Sequence, residues 1–212
     1  TPLTSIKGWA ITLQYDNSLN EDILNGLKII ESETDRLSAM VEELLDFSKF
    51  ISHKVTLKLD TVSIFEIDNY IFNYIKPRED NEGFKFLHGK IEENFYLDVD
   101  FNRLKQVLVN VLDNAIKFLK DNGEITLKYF LDKQENTISI EIMDNGIGIP
   151  KDELHRVKEK FFKGKTSKSK NGLGLSISDE IMKLHKGSLN IDSVYGEWTK
   201  VILKLPVIYL ED

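Results

Sequence analysis

The chain contains no cysteine in 212 residues, which excludes a disulfide framework and any thiolate metal site and fits a reducing compartment. No apolar run approaches the ~18 residues of a membrane-spanning helix, and no signal-peptide pattern opens the sequence. Work at a membrane would therefore need an anchor outside these residues. Basic charge is also in deficit, with 28 Lys and Arg against 35 Asp and Glu and a net charge of −7. Phosphate backbones select basic faces, so general nucleic-acid affinity is not expected. What is there, 41% hydrophobic and 30% charged residues, describes a soluble globular protein of one or two domains.

The positive charge is concentrated in one place. Between Lys151 and Lys170 eight basic residues face three acidic ones, a local charge of +5. Such a segment is either a solvated face or a polyanion site, and its composition alone does not decide which.

Periodicity divides the chain near residue 52. Leu3, Ile6, Ala10 and Leu13 recur at helical spacing from Thr1 to about Tyr15, with Pro2 accommodated in a first turn. The polar stretch Asp16 to Asp22 makes a turn. From Glu21 to Phe50 a second helix lines up Ile23, Leu27, Ile30, Leu37, Val41, Leu44 and Leu45. A two-helix hairpin cannot cover such a stripe by itself, so a homodimeric four-helix bundle is the natural solution.

Beyond residue 52 the period changes. "KVTLKLDTV" (Lys54 to Val62) alternates as a strand, and Ile64 to Ile75 reads as a helix ended by Pro77. "GFKFL" makes a short strand, and Asp100 to Lys120 is amphipathic. "EITLKYFLD" and "TISIEIMD" pair through Lys133 to Asn136. Leu173 to His185 is a helix capped by Gly187, and "SLNIDSV" and "KVILKLP" finish as strands. The expectation is an α+β chain: a helical hairpin over 1–52, half of a dimeric bundle, then an α/β sandwich over 53–212.

Three stretches of the second part carry chemistry. On the helix from Asn102 to Phe118, Asn110, Asn114 and Lys117 fall at i, i+4 and i+7, so two amides and an amine share a face beside the apolar one. "DNGIGIP" (Asp144 to Pro150) is a strong reverse-turn signal and equally a candidate wall of a nucleotide pocket. In "NGLGLSIS", Gly172 and Gly174 precede a helix, whose start offers free N–H groups and the positive end of its dipole. One G-x-G is weak evidence; three such elements in this order are strong.

The succession of an N box (Asn110 to Lys117), a G1 box (Asp144 to Gly148), an F box ("KFFKG", with Phe161 and Phe162) and a G2 box (Gly172 to Leu175) resembles the ATP-binding domain of sensor histidine kinases. That domain belongs to the superfamily shared with gyrase, Hsp90 and MutL. "TPLTSIKGWA" at the start resembles the phospho-acceptor helix of the same kinases, and the resemblance covers nearly the whole chain. It implies an ATP-dependent protein-histidine kinase core of a two-component system, with ATP and Mg²⁺ bound and a response regulator receiver domain as partner. It implies a homodimer through residues 1–50 and a cytoplasmic location, with the membrane reached only through upstream segments.

Residue by residue, the resemblance makes Asp144 the acceptor for the adenine amino group, Asn114 and Asn110 the Mg²⁺ residues, and Lys117 a charge for the phosphates. Phe118, Gly146, Gly148, Ile149, Phe161, Phe162, Gly172, Leu173, Gly174 and Leu175 complete the implied nucleotide site, with the lysine-rich segment as a mobile lid. Asn110 stands where ATP-hydrolysing relatives carry a glutamate, and an amide cannot take a proton from water near neutral pH. ATP is thus expected to be held without efficient hydrolysis. "DNGIGIP" then serves as both turn and wall.

The pattern is broken in places. The acceptor histidine of the motif falls four residues before Thr1, outside this sequence, and none of His53, His88, His155 and His185 replaces it. His185 at a helix end suits a partly cationic ring. Thr1 matches a position linked to dephosphorylation of the partner regulator. Lys158 stands where the F box usually has phenylalanine, Lys170 and Trp198 where glycine is common, and Phe118 where tyrosine is usual. These departures keep two alternatives in play: a degenerate nucleotide-binding dimerisation module, or another ATPase or protein kinase on the same fold.

Overall fold

The computed structural model describes residues 2–16, 18–51, 56–164 and 172–209, and of residues 39 and 42–51 the backbone only. Thr1, His53 and the lysines at 165, 168 and 170 lie outside the described residues. Contacts divide the chain into two units, Thr1–Val55 and Thr56–Asp212.

The first unit is a helical hairpin of α1 (Pro2–Gln14) and α2 (Glu21–Ile51). Asp16 accepts from the Ser18 N–H at 2.9 Å and Asn20 caps α2 by accepting from the Ile23 N–H at 2.9 Å, so the polar turn is built by short side chains that compete with helix continuation. Between the helices Ala10, Leu27 and Thr34 are buried. Lys7 meets Asp35 at 2.6 Å, and Gln14 donates to Glu31 at 2.8 Å. Ile6, Trp9, Leu13, Ile23, Ile30, Leu37 and Val41 are exposed on the hairpin taken by itself.

The second unit is a two-layer sandwich. Five strands, β2 (Lys85–His88), β4 (Glu124–Asp132), β5 (Thr137–Asp144), β7 (Trp198–Pro206) and β6 (Ser188–Val194), lie in the order β2-β4-β5-β7-β6. Only the β2–β4 pair is parallel. One face alternates Ile125, Leu127, Ile138, Ile140, Ile142, Val201, Leu203 and Leu205, all buried. Against it pack α3 (Ile64–Glu82) at β2, α4 (Phe101–Lys117) at β5, and α6 (Gly174–Leu184) at β6. A smaller antiparallel pair joins β1 (Asp60–Ser63) to β3 (Tyr96–Val99), and α5 (Lys151–Leu154) is a single turn.

Several expectations are corrected. Pro77 does not end α3, which runs on to Glu82 and closes at Gly83 in the left-handed region, φ 71°. The missing proline N–H and ring clash cost about 3 kcal/mol in a helix interior. Side chains around the proline offset this: Arg78 and Tyr74 both bond Asp113 of α4, and Glu79 accepts from the Phe86 N–H at 2.7 Å. Of the expected strand from Lys54 to Val62, Lys54 and Val55 lie outside the described residues and the strand is regular only from Asp60, while β3 is a strand that the periodicity does not indicate. α4 ends at Lys117 with Phe118 as its cap, three residues earlier than the periodicity indicates.

The close of α6 also differs. Lys186, φ 57°, takes the left-handed position rather than Gly187. The Lys186 N–H donates to the Lys183 carbonyl and that of Gly187 to Met182, both at 2.9 Å, a Schellman close. Gly187 is needed for a different reason: a Cβ there would stand 2.3 Å from the Lys204 carbonyl oxygen. His185 is not cationic. It is buried, its Nδ1 faces the Ile181 carbonyl at 2.8 Å, and its Nε2 accepts the Asp100 N–H at 2.9 Å. Burial lowers its pKa, so the neutral ring ties the end of α6 to the start of α4. His88 is the last residue of β2, 2.6 Å from Asp68, rather than part of a turn.

Candidate nucleotide site

The site lies within the second unit, where α4, the end of β5, the first turn of α6 and the β6–β7 turn converge. On α4, Leu104, Val107, Leu108, Val111, Leu112 and Ala115 are buried, which leaves Asn110, Asn114 and Lys117 along the border of that face. Asp100 caps the helix by accepting from the Arg103 N–H at 3.1 Å. Asn110 donates through Nδ2 to Ser178 Oγ of α6 at 2.9 Å. Its Oδ1 lies against Gly174, where a Cβ would come within 2.2 Å. The Asn114 side chain makes no hydrogen bond among the described residues. Lys117 Nζ lies 5.5 Å from the Phe118 ring centroid.

The turn after β5 is fixed by backbone packed on backbone. Asp144 Oδ1 accepts from the Gly146 N–H at 2.9 Å, and the Ile147 N–H donates to the Phe118 carbonyl at 3.0 Å. A Cβ at Gly146 would stand 2.2 Å from that same carbonyl oxygen, and one at Gly148, φ 65°, 2.2 Å from the Val194 carbonyl oxygen. Both glycines are therefore required by close approach, the second by its dihedral as well. Asp144 is 5% exposed, and burial pushes its carboxyl pKa up to about 6 against the opposing Gly146 hydrogen bond and the Lys120 charge. Its Oδ2 accepts no hydrogen bond among the described residues.

The second glycine turn meets the first turn of α6. Gly172 has φ 69°, and its carbonyl accepts from the Phe161 N–H at 3.0 Å. Leu173 is buried and provides no side-chain cap for α6, while Ser176 Oγ turns back to the Leu173 carbonyl at 2.8 Å. Among the described residues no side chain caps the N–H groups at this helix start, and the dipole adds positive potential there. Leu175 is half-buried on the same turn. Phe162 is half-buried under Arg156, whose guanidinium stands 4.5 Å from the ring centroid. Phe161 is not a core aromatic: it is 57% exposed and has φ 63°.

The structure adds residues that sequence reading missed. Ser193 Oγ accepts from the Ile149 N–H at 2.8 Å and donates to the Trp198 carbonyl at 2.7 Å. The Gly196 N–H donates to the Ile147 carbonyl at 2.7 Å, and Lys120 Nζ reaches the Gly196 carbonyl. The β6–β7 turn thereby buttresses the "DNGIGIP" turn from outside. Ser178 orients Asn110 in the same manner. A serine 1% exposed amid the apolar positions of α6 was the one available signal. Of the departures from the motif pattern, Lys158 turns to Asp179, and Trp198 is half-buried at the start of β7.

Residues 99–208 match the family described as histidine kinase-, DNA gyrase B- and HSP90-like ATPase. The chain belongs to this family. Residues 1–52 match the His Kinase A phospho-acceptor domain, and the two domains together make a two-component sensor histidine kinase core. Among curated relatives, sensor histidine kinase YclK of Bacillus subtilis is 32% identical over 212 residues, 98% of this chain and 44% of that protein. The chain thus spans less than half the length of that relative. The solved structure of full-length ShkA in complex with AMPPNP superposes with a TM-score of 0.83 at 21% identity, over 100% of this chain and 44% of that one. Histidine kinase ThkA in complex with response regulator TrrA gives a TM-score of 0.69 at 22% identity, over 97% of this chain and 57% of that one. These two likenesses bear on the fold of the kinase core.

Proposed function

We propose that residues 56–209 bind Mg²⁺-ATP and direct its γ-phosphoryl group to a histidine on the helical hairpin of the parent protein, from which it passes to an aspartate of a response regulator. The observation that carries this reading is Asp144, a carboxylate 5% exposed with one oxygen unused among the described residues. A carboxylate on so buried a residue, with an oxygen left open for a partner, suits a ligand donor, and the adenine amino group is one. The remaining residues fit the same ligand: glycine turns, an uncapped helix start for phosphate, and an Asn114 amide oxygen suited to a hard cation.

In this reading Asp144 fixes the base, and the Gly146–Gly148 backbone forms the wall beside it. Gly172 and Gly174 let N–H groups approach the phosphates, flanked by Leu173 and Leu175, and Lys117 adds a point charge. Phe118 and Ile149 line the site, with Phe161 and Phe162 at its lid side. Bound Mg²⁺ neutralises phosphate charge. Asn114 holds the ion, with Asn110 beside it. Asn110 has no basic group with which to activate water, so the phosphoryl group is kept for a protein nucleophile. Transfer of this kind depends on positioning and charge stabilisation.

The exposed apolar stripe of the hairpin supports a homodimer through residues 1–50, and the ThkA–TrrA complex supports a receiver domain as partner. Thr1 is proposed to act in regulator dephosphorylation. Among the described residues no helix is long and apolar enough to cross a membrane; a cytoplasmic location, with any anchor upstream, is part of the proposal.

Labelling with γ-labelled ATP tests the reading. The parent protein carrying the residues before Thr1 acquires acid-labile, base-stable phosphate, whereas residues 1–212 alone acquire none on their four histidines. Rapid steady hydrolysis by the chain with no labelling of the parent would contradict it.

A further inference from the structure

Residues 158–161 are tied to α6 at one point and to the glycine turn before it at another. At the first, Lys158 Nζ donates to Asp179 Oδ1 at 2.9 Å and to the Leu189 carbonyl of β6 at 3.0 Å. At the second, three residues on, the Phe161 N–H donates to the Gly172 carbonyl at 3.0 Å. Asp179 lies five residues into the helix that Gly174 begins. One side chain and one backbone hydrogen bond thus brace the stretch from Lys158 to Phe161 across the first turns of α6.

Two features separate this from an ordinary surface ion pair, which contributes little. The Asp179 side chain is only 12% exposed, and its other oxygen meets Lys183 at 2.8 Å. Burial works to raise its carboxyl pKa, but the hydrogen bonds from Lys183 and Lys158 outweigh burial and hold it below the usual value. The other feature is the backbone beyond. Phe161 at φ 63° and Gly172 at φ 69° both sit in the left-handed region, which is unfavourable for an aromatic residue and persists only where neighbouring contacts impose it. A Cβ on Gly172 would stand 2.6 Å from the Phe162 carbonyl oxygen, so these two turns pack directly on each other.

We propose that Lys158 is a positioning residue for the nucleotide site: by holding its segment on Asp179 and Leu189 it keeps Phe161 in register with Gly172, and so fixes the glycine turn that leads into the uncapped start of α6. Its effect on nucleotide rests on the ATP reading above; its effect on the Phe161–Gly172 contact does not. The Lys158 ammonium touches no phosphate in this scheme.

The test compares the 212-residue chain with Lys158→Met, Lys158→Arg, Asp179→Asn and the Lys158→Met/Asp179→Asn pair. Exchange of the Phe161 amide without nucleotide, calorimetric affinity for a non-hydrolysable ATP analogue with Mg²⁺, and the thermal midpoint are all measured. In Lys158→Met the Phe161 amide exchanges about tenfold faster and the analogue binds about tenfold more weakly, while the midpoint moves little. Lys158→Arg restores both, and the double variant is no worse than Lys158→Met. Unchanged Phe161 exchange in Lys158→Met overturns the proposal, as does a loss of protection spread evenly over β4, β5 and Phe161. If the unaltered chain fails to bind the analogue, the ATP reading falls, and Phe161 exchange still decides the positioning role.

Discussion

Asp144→Asn weakens ATP binding about a hundredfold and at the same time stabilises the protein near neutral pH. The loss of affinity follows from inventory: an ionised carboxylate only accepts, whereas asparagine turns an NH₂ toward a ligand amino group, leaving two donors face to face. The gain in stability follows from burial. The Asp144 carboxyl pKa rises from 3.8 to about 6 on folding, so the native state binds more protons than the unfolded one between those values. Stability therefore falls as pH rises through that window. Above it, the ionised group costs on the order of 3 kcal/mol, which a neutral amide does not incur. Thermal midpoints near pH 5 and pH 7.5 check this: the unaltered chain loses stability across the interval, and Asp144→Asn loses less. In calorimetry the affinity of the unaltered chain falls as pH drops through about 6. Asp144→Asn, which shares only the titration of the phosphate itself, lacks that inflection. A variant that is less stable and binds ATP normally would remove Asp144 from the site.

Asn114→Ala lowers phosphoryl transfer in the parent protein by about a thousandfold. Because the Asn114 amide makes no hydrogen bond among the described residues, its removal breaks no internal hydrogen bond there, and the fold changes little. Binding of ATP in the presence of a chelator stays near that of the unaltered chain, while the extra affinity conferred by Mg²⁺ disappears. Transfer rates with γ-labelled ATP, and calorimetry with and without Mg²⁺, separate the two effects. Asn110→Ala behaves differently, since it also breaks the 2.9 Å bond to Ser178 and loosens α4 against α6. Undiminished transfer by Asn114→Ala would sink its assignment as the metal residue.

The legible parts of the chain are those written in short-range periods. α2, α4, and the β4–β5 hairpin carry their 3.6- and 2-residue repeats over enough residues to be read directly. In that hairpin the turn is closed by Asp132, which accepts from the Gln134 and Glu135 N–H groups at 2.9 and 3.0 Å. β3 spans four residues with two buried positions and offers no repeat to detect. The continuation of α3 past Pro77 is a tertiary effect, supplied by Asp113 from a different helix. The His185 ring reads as a helix-end cation by local rule and becomes a neutral tie only because Asp100, 85 positions away, donates to it.

The site divides in the same way. Its candidate motif residues stand out in the sequence because glycines and amides at fixed offsets leave a local trace. The groups that hold them were not, because each acts across a long stretch of chain: Ser178 on Asn110 over 68 positions, Ser193 on Ile149 over 44, Lys158 on Asp179 over 21. No local pattern encodes such pairings, and each depends on the sheet order and on how α4, α5 and α6 are laid against it.

The decisive measurement is a titration of the isotope-labelled chain with Mg²⁺ and a non-hydrolysable ATP analogue, followed through its amide signals. A ligand held between α4 and the glycine turns shifts the backbone signals of Gly146, Gly148 and Gly174 and the side-chain amide of Asn114 along one saturable curve, and leaves Gly8 and Gly26 of the hairpin in place. Saturable shifts confined to other residues, or none at millimolar analogue, would contradict the account.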